Sequence, residues 1–283
     1  MTTVALVTGA SSGIGESIAR RLQAMGYVVY ATARRVERMA SLADAGIITV
    51  KADVTDDASM VALVERIVAE RGRIDVLVNN AGYGSYGALE EVPMDEARRQ
   101  VDVNLFGLAR LTQLVVPYMR AQGSGYIVNI SSIGGKMYEP LGAWYHATKF
   151  AVEGLSDSLR LELAPFGIHV VIIEPGAIHT EWATIAADSL VSVSGSGPYA
   201  RQAARSAAVL RASEGKVKVA SSPDVVARAV AKAVTARRPK TRYPVGAGAK
   251  PILAARRVLP DRAFDAVMTA VYRMAGAVDR RSA

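Results

Sequence analysis

Seven short runs rich in apolar and β-branched residues punctuate the chain, and the stretches between them read as amphipathic helices. The runs are Val4–Thr8, Val28–Thr32, Ile47–Val50, Ile74–Asn79, Tyr126–Ser131, Val170–Glu174 and Arg242–Val245. Several are apolar at consecutive positions, as strands are when both faces of their sheet are covered. Helical periodicity fills the gaps near 14–25, 57–71, 95–121, 144–164 and 223–237. The last of these has Ser222 as N-cap and Pro223 at its first helical position. Strands alternating with helices call for βαβ crossovers. The sequence therefore predicts an α/β fold, a single doubly wound parallel sheet of about seven strands with helices on both faces.

Two segments break that rhythm. Residues 177–221 mix Trp182, Leu190, Val191, Val193 and Tyr199 with Ser and Gly, and read as a long insertion of the kind that forms lids and binding loops. With Met137, Tyr138, Leu141 and Trp144 they suggest a hydrophobic cleft closed by a mobile loop. The second break follows Gly246-Ala247-Gly248. The domain expectation is thus a catalytic unit over 1–247, with 177–221 as its lid, and a basic helical extension over 248–283. The net charge of +8 is concentrated at that end: residues 236–283 hold 11 Lys/Arg and three Asp/Glu, so the rest of the chain is balanced. A nucleic-acid-binding fold would spread a basic face through its body, so no nucleic acid is expected. Within the extension Phe264, Val267, Met268, Val271 and Tyr272 mark one apolar helix face. That face either docks on the protein itself, leaving Arg256, Arg257, Arg262 and Arg273 in solvent, or lies on an anionic membrane surface. The stripe is short and Pro244, Pro251 and Pro260 divide the region, which favours self-docking.

The absence of cysteine removes disulfides, Cys-ligated metals and thiol nucleophiles. His146, His169 and His179 show no metal spacing, so no metal is expected. No apolar stretch reaches 18 residues and no signal-peptide pattern opens the sequence, so the expectation is a soluble, cytoplasmic protein.

The chemistry begins where the first strand ends, in Thr8-Gly9-Ala10-Ser11-Ser12-Gly13-Ile14-Gly15. Glycines between a strand and a helix let the backbone approach a pyrophosphate, which the free N–H groups of the helix start attract. The spacing G-x-x-x-G-x-G differs from the G-x-G-x-x-G dinucleotide fingerprint. At the end of the second strand an acid would bind a ribose 2′-hydroxyl, whereas arginine would accept a 2′-phosphate. Here stand Arg34 and Arg35, with no acid until Glu37, so NADP(H) is favoured over NAD(H). Farther along, Tyr145 and Lys149 are four residues apart and share a helix face. An ammonium near a phenol favours the phenolate and draws the tyrosine toward working pH as a proton donor and acceptor. Ser132 could offer its hydroxyl to a substrate carbonyl.

Taken together, Thr8–Gly15, Asn79-Asn80-Ala81-Gly82, Asn104, Ser132, Tyr145 with Lys149, and Pro175-Gly176 with Thr180 resemble the short-chain dehydrogenase/reductase family over roughly 3–247. The chain is most similar to its hydroxysteroid/retinol dehydrogenase-like and general ketone reductase branches. The resemblance implies a Rossmann-type sheet and an NADP(H)-dependent oxidoreductase interconverting a ketone and a secondary alcohol, here on a bulky apolar substrate. By the same resemblance Tyr145 is the general acid or base, Lys149 holds the nicotinamide ribose and lowers the Tyr145 pKa, Ser132 orients the substrate oxygen, and Asn104 holds a water. The cofactor set it implies is Gly9, Ser11, Ser12, Gly13, Ile14, Gly15, Arg34, Arg35, Asp53, Val54, Asn80, Ala81, Gly82, Tyr145, Lys149, Pro175, Gly176 and Thr180. Ser12 and Arg34 fall at the 2′-phosphate, Asp53 at the adenine amino group and Thr180 at the carboxamide. Pairing through the helices near 95–121 and 144–164 into a homodimer or homotetramer is also implied. The alternative is a nucleotide-sensing protein on the same fold without turnover.

Overall fold

The computed structural model describes residues 2–212 and 220–278. Residues 213–219 of the expected lid and 279–283 of the basic extension lie outside the described residues. The strands are β1 (Val4–Thr8), β2 (Val28–Ala33), β3 (Ile48–Lys51), β4 (Val76–Asn79), β5 (Gly125–Ile130), β6 (Ile168–Pro175) and β7 (Arg242–Val245). They form one sheet in the order β3-β2-β1-β4-β5-β6-β7, each neighbour pair parallel. The helices of the described residues are α1 (Gly13–Ala24), α2 (Ala40–Asp44), α3 (Asp57–Arg71), α4 (Met94–Val101), α5 (Gly107–Gln122), α6 (Ala143–Leu163), α7 (Trp182–Ser194), α8 (Ala200–Ala212), α9 (Asp224–Thr235), α10 (Ala249–Val258) and α11 (Asp261–Val278). None is long and apolar enough to cross a membrane.

The consecutive apolar residues of the strands divide between two layers, because successive side chains leave opposite faces of a sheet. Ala5 and Val7 of β1, Val29 and Ala31 of β2 and Val171 and Ile173 of β6 meet Ile18 and Leu22 of α1 and Val226 and Val230 of α9. Val4 and Leu6, Tyr30, Leu77 and Val170 meet Leu63 and Ile67 of α3 and Leu111 and Val115 of α5. Each large side chain removed from water this way contributes about 1.5–3 kcal/mol. The order reverses between β1 and β4, so the carboxyl ends of both strands open onto the crevice where such sheets bind ligands.

Residues 177–221 depart from the irregular insertion expected. They carry α7 and α8, whose buried positions Ala183, Ala186, Ala187, Leu190 and Ala203, Ser206, Ala207, Leu210 both follow an i, i+3, i+4, i+7 spacing. Small residues carry the helical period there, where larger apolar ones are usually sought. The single helix expected over 95–121 is α4 and α5 joined by a π turn, Asp102–Phe106.

The extension folds back onto the body through α10 and α11. Phe264 and Tyr272 are buried, whereas Val267 and Val271 remain exposed, so the docking line runs i, i+4, i+8 through Met268. Tyr138 donates to Asp265 at 2.8 Å, and Tyr272 donates to Glu139. Arg257, Arg262 and Arg273 are exposed as expected. Arg256 is not left to solvent: its guanidinium lies 5.4 Å from the ring centroids of both Tyr138 and Phe264 and pairs with Asp261 at 2.9 Å.

Behind α6 lies a cluster of charges. Arg242 of β7 bonds Glu153 at 3.0 Å and Asp157 at 2.6 Å, and Lys136 reaches Glu153 at 3.2 Å. Glu174 of β6 is 2% exposed, and its Oε1 has no hydrogen-bond partner among the described residues, with Arg242 at 3.6 Å. Burial and the Glu153 charge raise its carboxyl from 4.5 to about 7, against the pull of Lys136 and Arg242. Between those values the folded chain holds a proton that the unfolded chain has lost, so this group's contribution to stability falls as pH rises from 4.5 to about 7. Glu174→Gln, uncharged throughout, should melt increasingly above the parent as pH goes from 5 to 8. Thermal scans across that range check this; a constant difference would show that Glu174 ionises without cost.

Candidate active site

β1 delivers the chain to the crevice at Thr8, and the turn into α1 is built on glycine. Gly9 and Gly13 take positive φ values of +65° and +58°. A Cβ on Gly15 would lie 2.3 Å from the Gly9 carbonyl oxygen and 2.5 Å from Asn80 Nδ2. The loop is braced from β4: Asn80 Nδ2 donates to the carbonyls of Thr8 at 2.9 Å and Gly9 at 3.2 Å, while the N–H groups of Asn80 and Ala81 each donate to Thr8 Oγ1 at 3.0 Å. The Asn80 amide is therefore spent on holding the loop. Ser12 occupies the N-cap of α1, yet its hydroxyl makes no cap bond. Ser11 and Ile14 are half-buried beside it, Ile14 packing on the first core layer. A cradle that any Cβ would fill, opening on the N–H groups of a helix start, fits a dinucleotide pyrophosphate.

The remaining residues singled out by sequence line the same rim. Arg34 and Arg35 follow β2, are exposed, and form no ion pair among the described residues. The pair that does form there, Arg38 with Glu181 at 2.6 Å, links the β2 end to the segment before α7 and was not foreseen. Asp53 Oδ1 accepts from the Thr55 N–H at 2.9 Å and hydroxyl at 2.8 Å, a local turn that occupies one carboxylate oxygen. Val54 packs against the second core layer, its carbonyl oxygen 2.6 Å from where a Cβ on Gly107 would sit. Pro175 ends β6. Gly176 has no room for a side chain, since a Cβ would stand 2.2 Å from the Ala247 carbonyl. Thr180 lies over the glycine loop, its Cγ2 3.0 Å from a Cβ built on Gly13.

α6 carries Tyr145 and Lys149 on successive turns, both buried. Lys149 Nζ donates to the Ile130 carbonyl at 2.9 Å and lies 6.0 Å from the Tyr145 ring centroid. Ser132, two residues past β5, accepts the Gly134 N–H at 3.0 Å and lies near enough to Tyr145 to favour its phenolate. The π turn sets Asn104 against the β4 loop: its Oδ1 accepts the Tyr83 N–H at 3.0 Å, and its Nδ2 donates to the Tyr83 carbonyl at 2.9 Å and Thr148 Oγ1 at 3.1 Å. Gly82 sits in the angle, a Cβ there being 3.1 Å from Asn104 Oδ1 and 3.8 Å from Lys149 Nζ. The Asn104 side chain thus clamps the backbone at Tyr83. Such π turns recur at functional sites.

Electrostatics differ in sign from the expectation for Tyr145. Burial pushes its phenol well above the usual tyrosine range, with the Ser132 hydrogen bond pulling back and the Glu139 charge adding to the rise. Burial also draws the Lys149 ammonium down to about 8, while the Glu153 charge supports it.

The substrate side of Tyr145 is covered. Its ring centroid lies 5.6 Å from that of Tyr86 and 5.0 Å from that of Trp182, and the three join Ala186, Leu190 and Ala207 of α7 and α8 in one apolar cluster. Leu141, at the edge of this cluster, holds φ +64°, the one non-glycine residue with positive φ among the described residues. Met137 is buried, while Tyr138 turns to the extension. His146 Nδ1 meets the Gly134 carbonyl at 2.9 Å; His169 stacks near Tyr126 at 5.1 Å; His179 engages Ser221 through its backbone.

Comparison with known proteins agrees with this geometry. Residues 3–189 match the family model described as short chain dehydrogenase. A 3-ketodihydrosphingosine reductase of Bacteroides thetaiotaomicron is 44% identical over 177 residues, 62% of this chain and 64% of that reductase. The uncharacterized oxidoreductase YusZ of Bacillus subtilis is 35% identical over 94% of this chain and 96% of its own. A short-chain dehydrogenase of Streptomyces avermitilis superposes with a TM-score of 0.80 at 35% identity, covering all of both chains. Related crystal structures hold either cofactor: a metagenomic short-chain oxidoreductase with NADP (TM-score 0.67, 31% identity, 86% and 96% coverage) and a Burkholderia phymatum member with NAD (0.77, 27%, 91% and 92%).

Proposed function

The chain belongs to the short chain dehydrogenase family, and on that premise we propose that it is an NADP(H)-preferring oxidoreductase that interconverts a ketone and a secondary alcohol on a bulky apolar substrate. The observation that carries the reading is the convergence of Ser132, Tyr145 and Lys149 in one buried place at the carboxyl rim of the sheet. A bound nicotinamide dinucleotide supplies or accepts the hydride. The protein does the rest. Ser132 orients the substrate oxygen, Tyr145 gives it the proton that burial has kept on the phenol, and Lys149, charged below about 8, holds the ribose beside it. Asn104 acts as a positioning residue, keeping Tyr83 and Gly82 in place against Lys149. A nucleotide sensor without turnover would have no use for a buried phenol beside Ser132 and Lys149. The Bacteroides relative is a 3-ketodihydrosphingosine reductase, which supports the ketone–alcohol assignment.

The cofactor preference rests on Arg34 and Arg35, exposed at the end of β2 where a 2′-phosphate would lie, together with Ser12 at the N-cap of α1. The substrate class rests on the apolar cluster over Tyr145, which α7 and α8 must open to admit a ligand. A symmetric dimer or tetramer through α4–α6 would cover Phe106, Phe150 and Leu161, now 58%, 45% and 72% exposed.

Tyr145→Phe keeps the ring and removes the proton; turnover should fall by about 100-fold or more while dinucleotide binding persists. Steady-state rates and a fluorescence titration measure both, and near-parent turnover would remove Tyr145 from the chemistry. Neutralising Arg34 and Arg35 together should weaken NADPH binding by about 10-fold or more and leave NADH binding nearly unchanged. Equal losses for the two cofactors would show that these arginines do not read the phosphate. Light scattering at micromolar concentration should give at least twice the 29.9 kDa chain mass; a monomer mass would refute pairing.

A further inference from the structure

Lys149 is a buried ammonium with little beside it to hold its charge. Its Nζ donates to the Ile130 carbonyl at 2.9 Å, and it forms no ion pair among the described residues. On its front stand the uncharged Asn104 and the phenol of Tyr145, whose ring centroid is 6.0 Å from Nζ. An ammonium taken out of water gives up its proton unless a negative charge stands close by. One helical turn farther along α6, on the same face and 4% exposed, lies Glu153, the acid whose charge acts on Lys149.

Glu153 is itself built into position. Its Oε2 accepts Arg242 Nε of β7 at 3.0 Å and pairs with Lys136 Nζ, in the segment after β5, at 3.2 Å. Its Oε1 is buried without a hydrogen-bond partner among the described residues. Gly135 lets the segment close in: a Cβ there would stand 2.9 Å from Glu153 Cγ, 2.9 Å from the Lys149 carbonyl oxygen and 2.8 Å from Ser131 Oγ. The other charges facing Glu153 are Asp157 on the next turn of α6 and Glu174 of β6, at 2.6 and 3.6 Å from the Arg242 guanidinium. Arg160, farther along α6, is held by Asp157. Fastening β7 to α6 does not require the buried acid, since Arg242 already reaches Asp157, whose side chain is 41% exposed. A buried ion pair adds little stability over apolar packing of the same shape, so the burial of Glu153 against the reactive lysine calls for another reason.

We propose that Glu153 is a positioning residue for the reaction: held by Arg242 and Lys136 one turn behind Lys149, its carboxylate keeps that lysine charged for the cofactor ribose. The assignment rests on the reading above that Lys149 holds the ribose, and Glu153 acts through the lysine. The balance of charge around Glu153 then sets the pH range over which the site grips its dinucleotide. With Glu153 present the lysine loses its proton at about 8. Without that negative charge the loss comes at lower pH, and with the neighbouring Lys136 charge removed it comes at higher pH.

Fluorescence titrations with NADPH and with NADH from pH 6 to pH 10 test this. Glu153→Gln should move the alkaline loss of affinity down by about one pH unit, so that binding at pH 8 weakens about fivefold while binding at pH 6 matches the parent. Glu153→Asp keeps the charge and should restore most of the profile. Lys136→Gln, at a side chain 38% exposed, should shift the profile upward by a smaller amount. A contact that is only structural would weaken binding equally at every pH; that outcome, or an unmoved profile in Glu153→Gln, overturns the proposal. Should the Gln variant fail to fold, Lys136→Gln decides, an upward shift supporting the role of Glu153 and an unmoved or lowered profile overturning it. Lys149→Met separates this assignment from the reading beneath it. If it weakens binding and removes the alkaline loss while Glu153→Gln leaves the parent profile in place, Glu153 alone loses its role. If Lys149→Met binds as the parent does at every pH, the ribose assignment falls as well.

Discussion

Side chains that alternate across a parallel sheet govern everything else in this molecule. Val4 and Leu6 go to one layer and Ala5 and Val7 to the other, so neither face of β1 is free to hold a polar ligand. Only the ends of the strands remain. The carboxyl ends carry the glycine turn, Arg34, Asp53, Asn80–Gly82, Ser132 and Pro175–Gly176, one group after each of the first six strands. The chemistry is concentrated at one rim because the two-sided core leaves no other place for it.

At that rim the protein trades solvation for definition. Thr8 and Asn80 tie the β1 and β4 ends together through four hydrogen bonds, which keeps the backbone of the glycine turn in place. Asn104 does the same for Tyr83 from the π turn. Tyr145 and Lys149 are buried, the lysine bonded to the Ile130 carbonyl, and burial moves both toward their neutral forms. For a proton donor that direction is useful at neutral pH. For the lysine it means that its charge is retained only where the surroundings sustain it, and Glu153, tied into the Arg242 and Lys136 cluster, is the group that does so. The charged cluster behind α6 and the reactive pair on its front are thereby one electrostatic system.

α7, α8 and the C-terminal helices cover the rim from outside the sheet. α7 and α8 place Trp182 and Leu190 near Tyr145, and α11 packs against α8 and delivers Tyr272 to Glu139. Arg256, drawn over the rings of Tyr138 and Phe264, shows how the basic extension is used: part of its charge anchors it, while Arg257, Arg262 and Arg273 stay in water.

The sequence by itself determined the sheet, its parallel sense and the residues of the rim, because strand runs, glycine placement and a Tyr–Lys pair at helical spacing are local signals that survive without neighbours. It was less informative where the signal was carried by small residues, as in Ala183–Leu190 and Ala203–Leu210, whose helical spacing is as regular as any in the chain but whose burial depends on each helix packing on the other. Tertiary structure alone decided the remainder. The π turn brings Asn104 against the backbone of distant Tyr83, and the sign of the Tyr145 shift follows from burial that no spacing reveals. The Tyr86–Glu139–Tyr272 contact joins residues 186 positions apart at its ends. Such contacts depend on desolvation and on the meeting of distant segments, and both are properties of the folded chain.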